Sequence, residues 1–539
     1  MKLNLDSLQS PAWQAAGIKS PQFDVPGMIA ATKDAPSWLH LGAGNIFRSF
    51  IAVLQQRLLE KGLTDKGIIV AETYDAEIVG RVYGPCDNLS IGAALHSDAA
   101  VDFEVIACVA ESLHTADDKN RKRLLEIWTA PSLQMVSLTI TEKGYALKDG
   151  NGEWLPIVRL DMESGPDNAL HTMSIIAAGL YARYQEEALP LALVSMDNCS
   201  RGGERLKESV TAVACAWRER DLVSGGFLSY LADEERVAFP FTMIDKITPR
   251  PSEAVEALLK EKGIENMQPV ITEKGTFIAA FVNAERPEYL VVEDRFPAGR
   301  PPLEKAGVYM TDRDTVNRTE RMKVATCLNP LHTAMSIFGC LLRYSFIFEE
   351  MQDPEILALV RRLGYAEGLP VVEDPKILSP KAFLDEIITE RLPNPFLPDT
   401  PERIMTDTSQ KVGIRFGETI KQYIAAGRSL DGLTAIPLSI AGWMRYLLGV
   451  DDDGNELRLS ADPLKGMLQE KLSSIRWDAP ESYSEQMTGI LSDSGIFGLD
   501  LTKTSLVPRI EAYFISMLQG KGAVRKTLRR QLSGSGITE

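Results

Sequence analysis

The stretch WLHLGAGNIFRSFIAVLQQRLLEKG, residues 38–62, constrains the fold more than any other part of this chain. A short apolar run ends at Leu41, and Gly42, Ala43 and Gly44 follow. Apolar residues then recur at helical spacing through Phe47, Phe50, Ile51, Leu54 and Leu58, with Gly62 as the stop. The pattern predicts a strand, a tight turn and a helix. GIIVAE, ending at Glu72, reads as the next strand, and VDFEVIACV, MVSLTI and LALVSMDN as further ones. Helical patterns such as RKRLLEIW and ALHTMSIIAAGLYARYQEE separate several of them. Strands alternating with helices predict a largely parallel sheet covered on both faces.

The alternation fades after EYLVVEDRFPAGRPPLEKAG, where Gly299, Arg300, Pro301 and Pro302 suit a connection between units. Helix-length periodic segments follow, among them HTAMSIFGCLLRYSFIFEEM, KAFLDEIITERL and LTAIPLSIAGWMRYLLG. A chain of 539 residues exceeds what one core usually supports. The fold class expected is α/β: a Rossmann-like nucleotide-binding domain over residues 1–310 and a largely α-helical domain over 311–539. The pentapeptide ITEKG occurs at 140–144 and again at 271–275, too short a repeat to mark a duplicated domain.

Composition narrows the function classes. With 45% apolar and 24% charged residues the chain is globular, and a formal net charge of −16 argues against an extended nucleic-acid surface. MKLNLDSLQSPAWQ lacks an apolar signal segment and no uninterrupted apolar run is long enough to span a bilayer, so a cytoplasmic protein without a membrane partner is expected. The six cysteines form no CxxC and no zinc spacing, which argues against a metal, and several lie inside apolar runs that read as buried free thiols. The sequence leaves oligomeric state unknown.

Gly42 suits the tight strand-to-helix turn, and Gly44 removes a side chain where backbone must approach a ligand. Ile46, Phe47 and Arg48 open the helix, whose first N–H groups would face a pyrophosphate. The stretch is GAGNIFR, without the last glycine of a full GxGxxG fingerprint. Glu72 ends the next strand, where a carboxylate accepts hydrogen bonds from ribose hydroxyls and repels a ribose phosphate; this favours NAD over NADP. Asp75 competes for that role, and either acid could instead cap a loop. Arg48 reads as a phosphate neighbour or as an exposed helix residue.

KVATCLNPLHTAM, residues 323–335, gathers Lys323, Asn329 and His332. A carbonyl reductase needs a proton donor and groups that hold a developing alkoxide; lysine, asparagine and imidazole supply both without a metal. The competing reading makes Asn329 a helix cap, Pro330 a first-turn residue and His332 an ordinary helix position.

These segments, taken in order, resemble the long-chain mannitol dehydrogenase family, nearest its fructuronate reductase (D-mannonate oxidoreductase) branch. LHLGAGNIFR, VSLTITEKGY, SMDN, FPFTMIDKITP, EYLVVEDRFPAGRPP, LNPLHTA, DTSQKVGIRF, AGWMRYLLGVDDDGN and GIFGLDL carry the resemblance across most of the chain. It implies an NAD-binding unit, a mostly helical second domain and a small sugar acid or polyol in the cleft, interconverted between alcohol and ketone without catalytic zinc. By the same resemblance Asn329 orients the reacting oxygen, His332 binds substrate and Asn198 of SMDN helps hold that oxygen. Asp245 and Arg415 fall on substrate-side positions, and the arginine would pair with a carboxylate or serve interdomain bonding. One departure stands out. The family pattern is KxxxxNxxH, whereas five residues separate Lys323 from Asn329 here and Val324 holds the matching position. On a regular helix that offset turns a side chain by about 100°. A one-residue bulge would restore Lys323; otherwise Lys143 or Lys274 would supply the acid/base group. Fructuronate/mannonate is the expected substrate pair. The alternatives are tagaturonate/altronate, mannitol or another polyol, or a nonenzymatic NAD-binding regulator.

Overall fold

The computed structural model describes residues 1–532. The chain forms two compact units: Met1–His96 with Ala100–Asn317, and Ser97–Ala99 with the residues from Arg318 onward.

Among the described residues, the first unit holds all the strands. In chain order these are β1 (Ile18–Lys19), β2 (Trp38–Leu41), β3 (Ile68–Glu72), β4 (Ser90–Leu95), β5 (Val101–Ile106), β6 (Val109–His114), β7 (Met135–Leu138) and β8 (Leu191–Ser195). The remainder are β9 (Val237–Ala238), β10 (Thr242–Asp245), β11 (Val270–Ile271), β12 (Phe277–Ile278), β13 (Phe281–Glu285), β14 (Tyr289–Glu293) and β15 (Tyr309–Thr311). Six make one sheet in the order β6-β3-β2-β7-β8-β9, every pair parallel. Counted by appearance within that sheet, the order is the 3-2-1-4-5-6 of a dinucleotide-binding fold, with its reversal between β2 and β7.

Strands buried on both faces read as unbroken apolar runs, and β2, β3, β7 and β8 are buried at every position. Leu39, Leu41, Val136 and Leu138 pack with Trp128, Ile176 and Trp217, which come from helices Asp118–Thr129, Thr172–Gln185 and Gly202–Glu219. A second sheet runs β1-β5-β4-β13, with β4 and β5 antiparallel and β13 parallel to β4. A third, β10-β14-β15, carries Asp245 at its end opposite Tyr289.

The segment expected as one strand, VDFEVIACV, is two. It breaks at Ala107 and Cys108, whose backbone groups meet Gln56 Oε1 and the Ile68 N–H, and β5 and β6 enter different sheets.

The second unit is helical. Helix Ala435–Leu447 is buried at each of its thirteen positions, including Arg445, whose guanidinium donates to the carbonyls of Val450, Asp451 and Met517. The segment expected as one long helix from His332 breaks after Leu342, where Arg343 takes a left-handed φ of 66°. One continuous helical stretch, Arg313–Leu342, is long and apolar enough to cross a membrane by composition. Its apolar window is 83% buried inside the protein, so it serves as a core helix here.

Candidate active site

Parallel strands end on one side of their sheet, and the residues expected to meet the cofactor follow those ends. Gly42 leaves β2 with φ +103°, and a Cβ there would lie 2.3 Å from the Thr139 carbonyl oxygen. Only glycine fits both the conformation and the approach to the loop after β7. Gly44 has nothing within 4 Å of where its Cβ would be, which leaves its backbone open to a ligand. The loop between them is pinned on both sides. Ala43 N–H donates to Glu72 Oε2 at 2.8 Å, and its carbonyl accepts from the Tyr83 hydroxyl at 3.0 Å. An open glycine at the reversal point of a dinucleotide-ordered sheet fits NAD.

Phe47 stands where a full fingerprint has its third glycine. It is buried and stacks on His40 with ring centroids 4.3 Å apart, and the helix makes a π-helical turn over Phe47–Ile51. A wider turn makes room for a large ring where glycine would allow close packing. His40 is a residue the sequence did not single out. Its ring bonds Ser137 at 2.6 Å and Thr139 at 2.8 Å, and burial lowers its pKa to about 3, so the imidazole is neutral.

Arg48 is not an exposed helix residue: it is 1% exposed, donating to the Ala279 carbonyl at 2.7 Å and to Asn45 Oδ1 at 2.9 Å. It braces Asn45 from beneath the glycine loop. Glu72 is buried too, and its second oxygen accepts from the N–H groups of Tyr74 at 2.9 Å and Asp75 at 3.2 Å. Oε2 accepts only from Ala43 and keeps a site for a further donor, so a ribose hydroxyl is compatible with this loop-tying role. Asp75 turns inward, accepting from the hydroxyls of Thr272 and Thr276 at 2.6 Å each.

Asn198 is exposed just beyond β8. Beside it the buried Asp197 accepts from the N–H groups of Ile140 at 2.9 Å and Thr141 at 2.8 Å and from the Tyr145 hydroxyl at 2.7 Å. Thr141 is thereby held at φ +66°, and burial raises the pKa of Asp197 despite those three donors. Asp197 went unremarked in the sequence, although an acid ending a buried strand is a signal for such a clamp. Asp245 is buried at the end of β10.

Lys323, Asn329, His332 and Arg415 belong to the second unit. Lys323–Cys327 forms a π-helical turn, closed by the Leu328 N–H donating to the Lys323 carbonyl at 3.1 Å. A π turn holds one residue more than the α turn it replaces, so the surplus residue between Lys323 and Asn329 is taken up locally. Pro330 does not push Asn329 out of the helix. The irregular residue is Leu328, at φ −128° and ψ −65°, and Asn329 begins the helix Asn329–Leu342. His332 lies three positions on, which puts both half-buried side chains on one face. Lys323 is 5% exposed. Of the alternative lysines, Lys143 is exposed, and Lys274 donates to the Tyr74 carbonyl with its ammonium over the Tyr74 ring.

Arg415 sits on another π turn, Gly413–Gly417. Cβ atoms on Gly413 and Gly417 would come within 2.7 Å of Ile496 O and 1.9 Å of Phe497 O, so the GIFG backbone seats this turn. Two motifs far apart in sequence thus share one contact. Arg415 donates to the Thr333 hydroxyl, which in turn donates to the Asn329 carbonyl at 3.2 Å. Burial alone pulls the Arg415 pKa down to about 10. A guanidinium that has lost hydration in this way gains from an anionic partner. Among the described residues no group of three or more His, Cys, Asp or Glu side chains is placed to hold a metal.

Two family profiles match this architecture: the mannitol dehydrogenase Rossmann domain over residues 36–305 and the mannitol dehydrogenase C-terminal domain over 315–518. The chain belongs to the mannitol dehydrogenase family, an NAD-dependent oxidoreductase class. Among its relatives is the D-mannonate oxidoreductase of Thermotoga maritima, 48% identical over 534 residues that cover 98% of each chain. The ternary complex of Pseudomonas fluorescens mannitol 2-dehydrogenase with NAD and D-mannitol is 25% identical at TM-score 0.67, covering 99% of this chain and all of the other. A substrate-free D-sorbitol dehydrogenase shares the fold at TM-score 0.77 and 22% identity, with the same coverage.

Proposed function

We propose that this protein reduces D-fructuronate to D-mannonate with NADH, reversibly and without a catalytic metal. The observation that carries the substrate assignment is the 48% identity to a D-mannonate oxidoreductase, which extends over 98% of both chains. The chemistry of Arg415 supports an acid over a neutral polyol, since its charge is desolvated and its hydrogen-bond partner Thr333 is neutral.

Bound NADH supplies the hydride to the carbonyl carbon. Protonated Lys323 gives its proton to the carbonyl oxygen, so that one hydride and one proton convert ketone to alcohol. Asn198 and Asn329 hold that oxygen as charge grows on it, His332 orients the sugar, Asp245 takes its hydroxyls and Arg415 pairs with its carboxylate. In oxidation neutral Lys323 takes the proton back. Gly42, Gly44, Ile46 and Phe47 form the cofactor turn, with Arg48 and Glu72 bracing it. The protein is assigned to the cytoplasm, a reading supported by six free thiols.

Turnover against a panel of D-fructuronate, D-tagaturonate and D-fructose, with NADH and NADPH and in both directions, tests the assignment. NADH oxidation with fructuronate is expected to have the highest kcat/KM. Fructose turning over while fructuronate stays inert would replace the sugar acid with a polyol pair. NAD binding without turnover on any member would make the protein a regulator.

A further inference from the structure

The second ITEKG copy has no part in the chemistry above, yet it is anchored as firmly as the first. The two turns share a device. The first is held by Asp197 after β8, through the N–H groups of Ile140 and Thr141. The second joins β11 to β12 and is held by Asp75, just past the end of β3, through the hydroxyls of Thr272 and Thr276. Glu77 also accepts from the Glu273 N–H at 2.8 Å, Arg81 donates to the Ile271 carbonyl at 3.2 Å, and Gly275 completes the turn at φ +79°.

This anchoring delivers a lysine to a tyrosine. Lys274 donates to the Tyr74 carbonyl and holds its ammonium 4.2 Å from the Tyr74 ring centroid. Glu72 gathers the N–H groups of Tyr74 and Asp75, so the chain curls around that carboxylate. Asp75 faces inward at 2% exposure, and Tyr74 projects outward at 67%. A ring fixed by a cation and by its own tethered backbone, yet mostly open to solvent, is a preorganised stacking surface. Its position gives the ligand. The acid ending the second strand of a dinucleotide fold marks the adenosine ribose, and Tyr74 is two residues beyond that acid.

We propose that Tyr74, oriented by Lys274 of the second ITEKG turn, is the platform on which the adenine of the cofactor stacks. The proposal rests on the NAD-dependent reading and adds a residue-level account of its adenosine half.

The test measures binding to the full-length protein with ADP-ribose and NADH, and turnover with reduced nicotinamide mononucleotide, which lacks the adenine. Base–aromatic stacking sets the expected size. Tyr74→Ala should weaken ADP-ribose and NADH by the same factor, about tenfold, and leave mononucleotide turnover unchanged. Tyr74→Trp should retain parental affinity, and Lys274→Met should weaken ADP-ribose in the same direction as the alanine variant. Because Tyr74 is exposed, an unchanged melting temperature is expected for each variant. Parental ADP-ribose affinity in Tyr74→Ala, or an equal loss with the mononucleotide, would overturn the platform. If fructuronate fails as substrate while ADP-ribose still responds to Tyr74, only the substrate assignment falls.

Discussion

Lys323 shows what single residues disclose and what they conceal. Its residue type and its neighbours Asn329 and His332 were legible in the sequence, whereas its place around the helix axis was not. Five intervening residues put it out of phase on a regular helix, and only the backbone hydrogen bond from Leu328 to Lys323 reveals the π turn. Arg48 concealed its burial instead. The sequence offered a phosphate neighbour or an exposed helix residue, but the side chain is buried between Asn45 and the carbonyl of Ala279, the latter more than two hundred residues away and announced by no local pattern. Replacing Lys323 with alanine removes the proposed proton donor while sparing the glycine turn. Steady-state turnover should fall by about 10²–10⁴-fold, and NADH affinity by titration should stay at the parental value. Near-parental turnover would move the proton to another group.

At the level of elements, strands buried on both faces were the most readable because each is one short unbroken apolar run. The break in VDFEVIACV was hidden for another reason: VDFEV alternates and IACV continues it with no glycine, proline or other turn residue to mark the corner at Ala107 and Cys108. β4, SIGAAL, is built largely of small residues and gave no strand signal. The helices of the second unit were legible as periods, and the spacing from Lys323 to Asn329 already suggested a one-residue bulge, but the π turn under Arg415 left no such mark, because i to i+5 bonding is not encoded in composition. This yields a direct experiment. Deleting Val324 shortens the π turn to an α turn and gives the KxxxxNxxH spacing. Such a variant should fold and keep turnover within about tenfold of the parent, whereas inserting an alanine after Val324 should abolish turnover. Loss of activity in the deletion at a preserved melting temperature would show that the wide turn itself, and not merely its phase, aims Lys323.

For the molecule as a whole, the alternation of strands and helices followed by helices alone predicted the fold class, while the small mixed sheets escaped notice. A buried carboxyl was equally invisible. Glu350 is fully buried with no hydrogen-bond partner on either oxygen, and a Cβ on Gly339 would lie 1.6 Å from its Oε1. Burial, reinforced by the nearby carboxylates of Glu402, Asp399, Asp353 and Glu349, holds its pKa well above the ordinary value of 4.5. The folded chain therefore keeps a proton there that the unfolded chain releases, and stability falls as pH rises from about 4.5 toward the raised pKa. Glu350→Gln is neutral throughout and removes that slope. Its melting temperature should exceed the parent's by a margin that widens as pH rises above about 4.5 and closes below it; a margin independent of pH would show that Glu350 is ionised in the native protein. The parallel pairing of β4 with β13 bears on biogenesis, because some 190 residues separate Leu95 from Glu285. At ribosomal speeds of roughly 5–20 residues per second, β4 waits about 10–40 s for its last neighbour, presenting a raw hydrogen-bonding margin to other nascent chains meanwhile. Slower synthesis lengthens that wait in proportion, so the time this margin stays bare is set by translation rather than by the finished fold.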